Sequence, residues 1–358
     1  REPTQRLMQS RAVWHRAQVR PASIATVDYH TAGEPFRIVA APPVPLPGTN
    51  VADRRARAME DPDVQWLRSV LCSEPRGHAD MYGGFILPPD DGGAHLGVLF
   101  WHKDGFSTAC GHGTIALGAW AVDSGLVHMP AGGTGTVEVV IDVPSGRVTA
   151  RVHCDRGRVR EVDFVNVPSW AIAESIEVTT SGGPVEVELA FGGAIYAMLP
   201  ASQLGLTVEP AHLDALIELG REIKWALNDH ELAQHATDPR LSGVYGTIWY
   251  QDLGTSAAGL HQRNVTVFAD GEVDRSPCGS GTSARLAMLA AQGKIGVDTA
   301  LRHDSIIGST FTGRVIQDTI VEGRPAIVPQ VTGMAYRTGE HRFLVDPDDP
   351  LVPGFLLR

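Results

Sequence analysis

The sequence predicts an α+β protein in which one β-rich lobe, wrapped around a single apolar helix, is built twice. Three observations carry this. Cys110-Gly-His-Gly-Thr-Ile-Ala and Cys278-Gly-Ser-Gly-Thr-Ser-Ala share the pattern C-G-x-G-T-x-A, 168 residues apart in a chain of 358. Each copy is a Gly-rich turn opening an apolar helix that stops at a glycine. The rest reads mostly as short alternating strands with turn residues every ~8–12 positions.

Taken in order, the globular part begins near Ile24. IATVDYHTAGEPFRIVAAPP reads as strand, turn, strand, punctuated by His-Thr-Ala-Gly-Glu-Pro. Residues 58–72 have helical character, with Met59, Val64, Leu67, Val70 and Leu71 on one face. Residues 94–102 form a buried strand, and 106–125 a Gly-rich turn and apolar helix ending at Ser124-Gly125. Strands dominate from 135 to 200. A helix is expected over 209–228, strands over GVYGTIWYQD and NVTVFAD, the second turn-helix over 277–296, and strands to the end.

Composition narrows the function. Apolar residues make up 43% and charged residues 20%, an ordinary globular balance that rules out disorder for the bulk of the chain. A net charge of −11 lacks the Lys/Arg excess that binds phosphates, so no nucleic acid is expected, nor an anionic membrane surface. No apolar stretch approaches the ~18 residues of a membrane span. The four cysteines, at 72, 110, 154 and 278, show neither zinc spacing nor a disulfide framework, so a reducing cytoplasm is the default. Residues 1–20 carry five arginines against one acid without an apolar core. They read as an N-terminal extension rather than a secretory signal, with a transit peptide as the alternative.

The repeated motif carries chemistry. A cysteine just ahead of a helix feels the positive end of the helix dipole, which favours its thiolate. The glycines let backbone N–H groups approach an anion such as a carboxylate. A single copy reads equally well as a turn with a small buried thiol. Two copies placed face to face set two thiols on opposite sides of one ligand. A thiolate on one face removes the proton beside the carboxylate, and a thiol on the other returns it. Backbone donors stabilise the carbanion-like transition state. No pyridoxal-lysine, metal or nucleotide motif competes, and G-x-G-T lacks the Lys of a P-loop, so no cofactor is expected.

CGHGT at 110–114 and DRSPCGSGTSAR at 274–285 resemble the two catalytic motifs of the proline racemase family. That family includes proline racemases, 4-hydroxyproline 2-epimerases and trans-3-hydroxy-L-proline dehydratases. The likeness extends through HTAGEP (30–35), EPRGHADMYGG (74–84), FGG (191–193) and DPLVPGFLLR (349–358). It implies a diaminopimelate-epimerase-like fold of two pseudo-symmetric lobes, each a β-barrel-like sheet around a central helix, with the site between them. The expected division is 21–160 plus 335–358 for the first lobe and 161–334 for the second; a homodimer is left open.

The resemblance makes Cys110 and Cys278 the acid/base pair. It gives carboxylate binding to His112 and the amides of Gly111, Gly279 and Ser280, and the ring nitrogen to Asp274, which otherwise reads as a turn cap. Tyr82 and Phe268 match apolar or aromatic walls, with plain core aromatics as the alternative. His30 and His78 read as turn or interlobe residues, Glu34 and Arg76 as a buried polar network, and Cys72 and Cys154 as buried thiols. Retention of Cys278 favours a racemase or epimerase of proline or hydroxyproline, because inversion needs a donor on the second face. DMYG, AHLGVLFWHKDGFSTACGH, VYGTI and DPLVPGFLLR look closer to the 3-hydroxyproline dehydratases, the alternative reading.

Overall fold

The computed structural model describes residues 20–297 and 299–357; nearly all of the expected extension over 1–20 lies outside the described residues. Its first strand, Ser23–Thr31, turns at Ala32-Gly33, both at positive φ, and pairs antiparallel with Glu34–Val39. Hydrogen bonding continues from that strand through Gly83–Leu87, Leu96–His102, Gly135–Val143 and Gly146–Asp155 to Arg158–Val165. The last four residues of Arg324–Gly333 pair with that final strand. After Met334 the chain resumes as Ala335–Leu344, which pairs with Ser23–Thr31 and closes the ring.

A second ring runs Trp170–Thr180, Gly183–Phe191, Ile195–Pro200, Val244–Ser256, Gly259–Phe268, Ala300–Ser305, Thr310–Val321 and Arg324–Gly333. It closes by a bridge between Ser169 and Ile327. The strand Arg324–Gly333 thus serves both rings.

Five α-helices lie among the described residues: α1 (Val51–Glu60), α2 (Pro62–Cys72), α3 (Gly111–Asp123), α4 (Leu213–Leu227) and α5 (Gly279–Ala291). α3 and α5 differ in kind from the others. Every residue of α3 from Gly111 to Val122 is buried, as is every residue of α5 from Gly279 to Leu289. A helix apolar all round needs cover all round, and each has a ring of strands about it. Both carry small residues where the strands press closest. No helix among the described residues is long and apolar enough to cross a membrane.

The expected helix over 58–72 is two helices, because Pro62 has no N–H to donate and keeps Asp61 out of helical geometry. Asp61 instead caps α2, its Oδ1 accepting from the N–H groups of Asp63 (2.9 Å) and Val64 (3.1 Å). The helix expected from 209 opens with a 3-10 turn, Pro210–His212, before α4. The division expected after residue 160 falls inside Arg158–Val165, which stays paired with Gly146–Asp155 beyond that point. The strand Gly83–Leu87 was not anticipated from its Gly-rich sequence.

The lobes are tied by polar contacts on residues 272–275. Glu34 Oε2 accepts from the Arg275 N–H (2.7 Å), and Asp80 accepts from the Val273 N–H (3.1 Å) and pairs with the Arg275 guanidinium (2.8 Å). Thr108 Oγ1 donates to the Gly193 carbonyl (2.9 Å) at the other end of the seam.

Candidate active site

The N-termini of α3 and α5 meet at this seam. A Cβ built on Gly111 would lie 2.4 Å from the Gly279 Cα, and one built on Gly279 would lie 2.5 Å from the Gly111 Cα. Only glycine lets the two backbones approach so closely.

Each helix is capped by its cysteine. Cys110 Sγ accepts from the Gly113 N–H (3.3 Å), and Cys278 Sγ accepts from the Gly281 N–H (3.4 Å). The two caps are not equivalent. Cys110 is extended, with φ −156°, whereas Cys278 sits at φ 62°, a strained conformation for a residue with a Cβ. A chain of bonds holds it there: Asp274 Oδ1 accepts from Ser276 N–H (2.8 Å) and Oγ (2.7 Å), and Ser276 Oγ accepts from the Cys278 N–H (3.1 Å). Asp274 therefore does cap a turn, while still lining the cavity.

The cavity is narrow, with about 260 Å³ of space among its lining residues, part of it open to solvent. All nine residues singled out from the sequence line it: Tyr82, Cys110, Gly111, His112, Phe268, Asp274, Cys278, Gly279 and Ser280. Ala109, Tyr196 and Tyr245 complete the wall. Tyr196 OH bonds Ser280 Oγ (2.7 Å) and accepts weakly from Cys278 Sγ (3.9 Å). Tyr245 OH bonds Tyr82 OH (3.0 Å), which also bonds Ser107 Oγ, and Tyr245 stacks on Phe268 at 5.7 Å. Neither Tyr196 nor Tyr245 was singled out from the sequence.

Burial governs the protonation states. It pushes both thiols up, against the pull of the Gly113 and Gly281 N–H donors; nearby Asp274 pushes the same way. Burial thus outweighs the thiolate preference of the helix starts. Burial lowers His112 to about 3, so the imidazole is neutral, its Nδ1 3.5 Å from Cys110 Sγ. Burial raises Asp274 to about 6, opposed by the Ser276 hydroxyl and N–H. Tyr82, Tyr196 and Tyr245 are all raised by burial and stay neutral donors.

The residues read as structural lie near or beyond this wall. His30 Nδ1 accepts from the Gly33 N–H (3.1 Å), organising the first turn, and His78 Nδ1 accepts from the Asp80 N–H (3.2 Å). Buried Glu34 joins the interlobe network, and Arg76 pairs with Asp349 at 3.7 Å. Cys72 and Cys154 are buried and free, like the two capping cysteines. Among the described residues, two clusters bear metal-ligand atoms. His102, Asp104 and Glu272 gather their ligand atoms within 4.8 Å, but the Lys103 ammonium already sits 2.6 Å from Asp104 and 4.0 Å from Glu272. In the other, His153, Glu161 and Asp163, His153 Nε2 and Asp163 Oδ2 satisfy each other at 2.8 Å.

Two cysteines, an aspartate and two helix starts around one small enclosed space suit a small zwitterion carrying a carboxylate and an ammonium. A family model described as proline racemase matches residues 26–356. The chain is 41% identical over 333 residues to a trans-3-hydroxy-L-proline dehydratase of Bacillus cereus, covering 93% of this chain and 97% of the relative. It is 41% identical over 337 residues to a 3-hydroxyproline 2-epimerase of Burkholderia multivorans, covering 94% and 98%. The crystal structure of a hydroxyproline epimerase from Agrobacterium vitis, with bound trans-4-hydroxy-L-proline, superposes with a TM-score of 0.86 at 32% identity, covering 94% of this chain and 96% of that one.

Proposed function

The chain belongs to the proline racemase family, and from that premise we propose that it inverts the Cα centre of a proline-type imino acid by proton transfer between Cys110 and Cys278, with 3-hydroxyproline as substrate class. The observation that carries this reading is the pair of capping thiols on one cavity, brought together by the Gly111–Gly279 contact. The substrate carboxylate lies against the helix-start amides of Gly111, His112, Gly279 and Ser280, where negative charge develops. The ring ammonium pairs with Asp274. One thiolate takes the Cα proton, and the opposite thiol donates its own to the other face, leaving each cysteine in the state the other began in. These groups suffice for the reaction, so the reading needs no cofactor.

Burial pushes both thiols up, and the arriving cationic ring favours ionisation of one of them. A positive charge beside a buried thiol favours its thiolate. Substrate binding thereby arms the base.

A second reading, dehydration of trans-3-hydroxy-L-proline, draws support from the linked hydroxyls of Ser107, Tyr82 and Tyr245, two of which line the cavity. Here Cys110 takes the Cα proton, the C3–O bond breaks, and the hydroxyl leaves as water with a proton from a neutral donor. The enamine product tautomerises to a cyclic imine. The relative from Bacillus cereus carries the name of this activity.

The four free cysteines support a reducing compartment such as the cytoplasm. The test of function is an NMR time course in D2O with L-proline, trans-4-hydroxy-L-proline and trans-3-hydroxy-L-proline. Inversion appears as Cα deuterium with a change of hand, dehydration as loss of the 3-hydroxyl. Absence of Cα exchange with all three overturns both readings.

A further inference from the structure

A second cavity, about 1020 Å³ of open space, lies outside the tyrosine wall, between α1, α4 and the loop 238–245. Tyr245 lines both cavities, and Ser107, which lines the outer one, bonds Tyr82 of the inner one. Two tyrosines and a serine thus form the partition between them.

The charges of this outer cavity do not cancel. Arg240 is paired with Asp238 (2.7 Å), Asp270 with Arg221 (2.7 Å) and Asp104 with Lys103 (2.6 Å). His102 is held neutral by burial. Two cations remain. Lys224 is only 6% exposed, yet among the described residues its ammonium makes no hydrogen bond or ion pair; it lies 3.4 Å over the Trp225 ring. Arg55 spends its Nε on the Phe106 carbonyl (2.8 Å), and its two terminal nitrogens have no partner among the described residues. A chain of net charge −11 therefore keeps two cations with no direct acceptor on their terminal nitrogens at one recess, with Asp104 and Asp270 acting on Lys224 only at longer range. A largely desolvated ammonium with no direct acceptor gains a charge-assisted hydrogen bond when an anion enters beside it.

We propose that this outer cavity is a carboxylate-docking vestibule, in which Arg55 and Lys224 hold the carboxylate of an imino acid beside Trp225 before it passes the Tyr82–Tyr245 partition. The carboxylate chemistry follows from the two cations alone. Only the identity of the imino acid rests on the function proposed above. On this proposal the paired hydroxyls of Tyr82 and Tyr245 part to admit the ligand.

The Trp225 indole N–H donates to Asp270 Oδ1 at 3.0 Å and so reports on this cavity. The experiment follows its ¹H–¹⁵N signal, assigned with Trp225→Phe, in a Cys110→Ser/Cys278→Ser protein that does not turn over. Probes are acetate, inorganic phosphate and trans-3-hydroxy-L-proline. Acetate and the imino acid should each give a saturable shift. Lys224→Met and Arg55→Gln should each weaken it about tenfold or more, the loss of one charge-assisted hydrogen bond. Lys224→Arg should restore it, and adding Asp274→Asn should leave it in place. A linear, unsaturable shift, indifference to both replacements, saturation by phosphate alone, or loss with Asp274→Asn would each overturn the vestibule. Cα exchange by the unmodified enzyme is scored separately, so failure of the proposed function leaves the acetate result standing on its own.

Discussion

Gly111 and Gly279 touch backbone to backbone where the two buried helices meet, with room for a Cβ on neither. This contact sets the separation of the two cysteines that precede them. Gly111→Ala should force the helix starts apart. Overpacking of this kind destabilises by about 1–3 kcal/mol. A displacement near 1 Å at the reacting atoms lowers turnover by about 10²-fold. Thermal unfolding and Cα exchange rates check both effects. Gly118→Ala, inside α3 and away from the cavity, is the control: it should lower stability with far less effect per surviving molecule. Equal specific activity in Gly111→Ala and the parent would remove the contact from the mechanism.

Asp274 ties pH to both binding and stability. Burial raises it to about 6. A carboxyl whose folded value is raised stabilises the fold while protonated, and that contribution is lost as pH rises through the folded value. Relative to the ordinary 3.8, the rise costs the ionised form about 3 kcal/mol. Asp274→Asn should therefore melt higher than the parent above pH ~7, the gap closing toward pH ~4. The same variant should bind imino acid poorly, because the ring ammonium loses its counter-charge. In the parent, kcat/KM should fall on the acid side as Asp274 takes up a proton near 6. A variant that melts higher yet keeps this acid limb would show that another group sets it.

What the sequence made legible was local. The C-G-x-G-T-x-A copies announce their own geometry, since a capping residue, two glycines and an apolar run belong together on one helix start. The less legible parts depend on distant packing. Tyr196 and Tyr245 sit on strands where an aromatic is equally at home in any core. Only the parallel pairing of Ile195–Pro200 with Val244–Ser256 sets them side by side over Cys278 and Tyr82. The thiols show the same limit. The helix-start donors are legible and present, but enclosure by both lobes outweighs them, and enclosure is not a local property. The break at Pro62 was legible in principle, because a capping Asp followed by proline is a helix-start signal, but the apolar stripe over 58–72 masked it.

The Tyr82 hydroxyl separates wall from reagent. It bonds Ser107 Oγ and Tyr245 OH at the cavity edge. If the enzyme eliminates a 3-hydroxyl, a neutral donor there assists departure, and Tyr82→Phe should slow loss of hydroxyl by at least ~10²-fold. Cα deuterium exchange should fall much less. Leaving Ser107 short of a partner should also lower stability by about 1–3 kcal/mol. Both rates come from one NMR time course with trans-3-hydroxy-L-proline. An unchanged ratio of elimination to exchange returns Tyr82 to a purely packing role.

Cys278→Ser divides the two readings most sharply. The substitution keeps the cap, since a serine hydroxyl also accepts from the Gly281 N–H, and it keeps nearly the same volume. It removes the acidic thiol. A hydroxyl is a far weaker acid, so reprotonation on that face should slow by at least ~10²-fold. In a two-thiol isomerase, inversion then collapses in both directions, because each thiol is base one way and acid the other. Cα exchange through Cys110 survives with retention, seen as deuterium incorporation without a change of hand. In a dehydratase that uses Cys110 as base, Cys278→Ser still releases the 3-hydroxyl, whereas Cys110→Ser does not. Near-ultraviolet circular dichroism of both variants establishes that the lobes still close on each other. Racemisation that persists in a folded Cys278→Ser protein would sink the two-thiol mechanism, whichever imino acid is turned over.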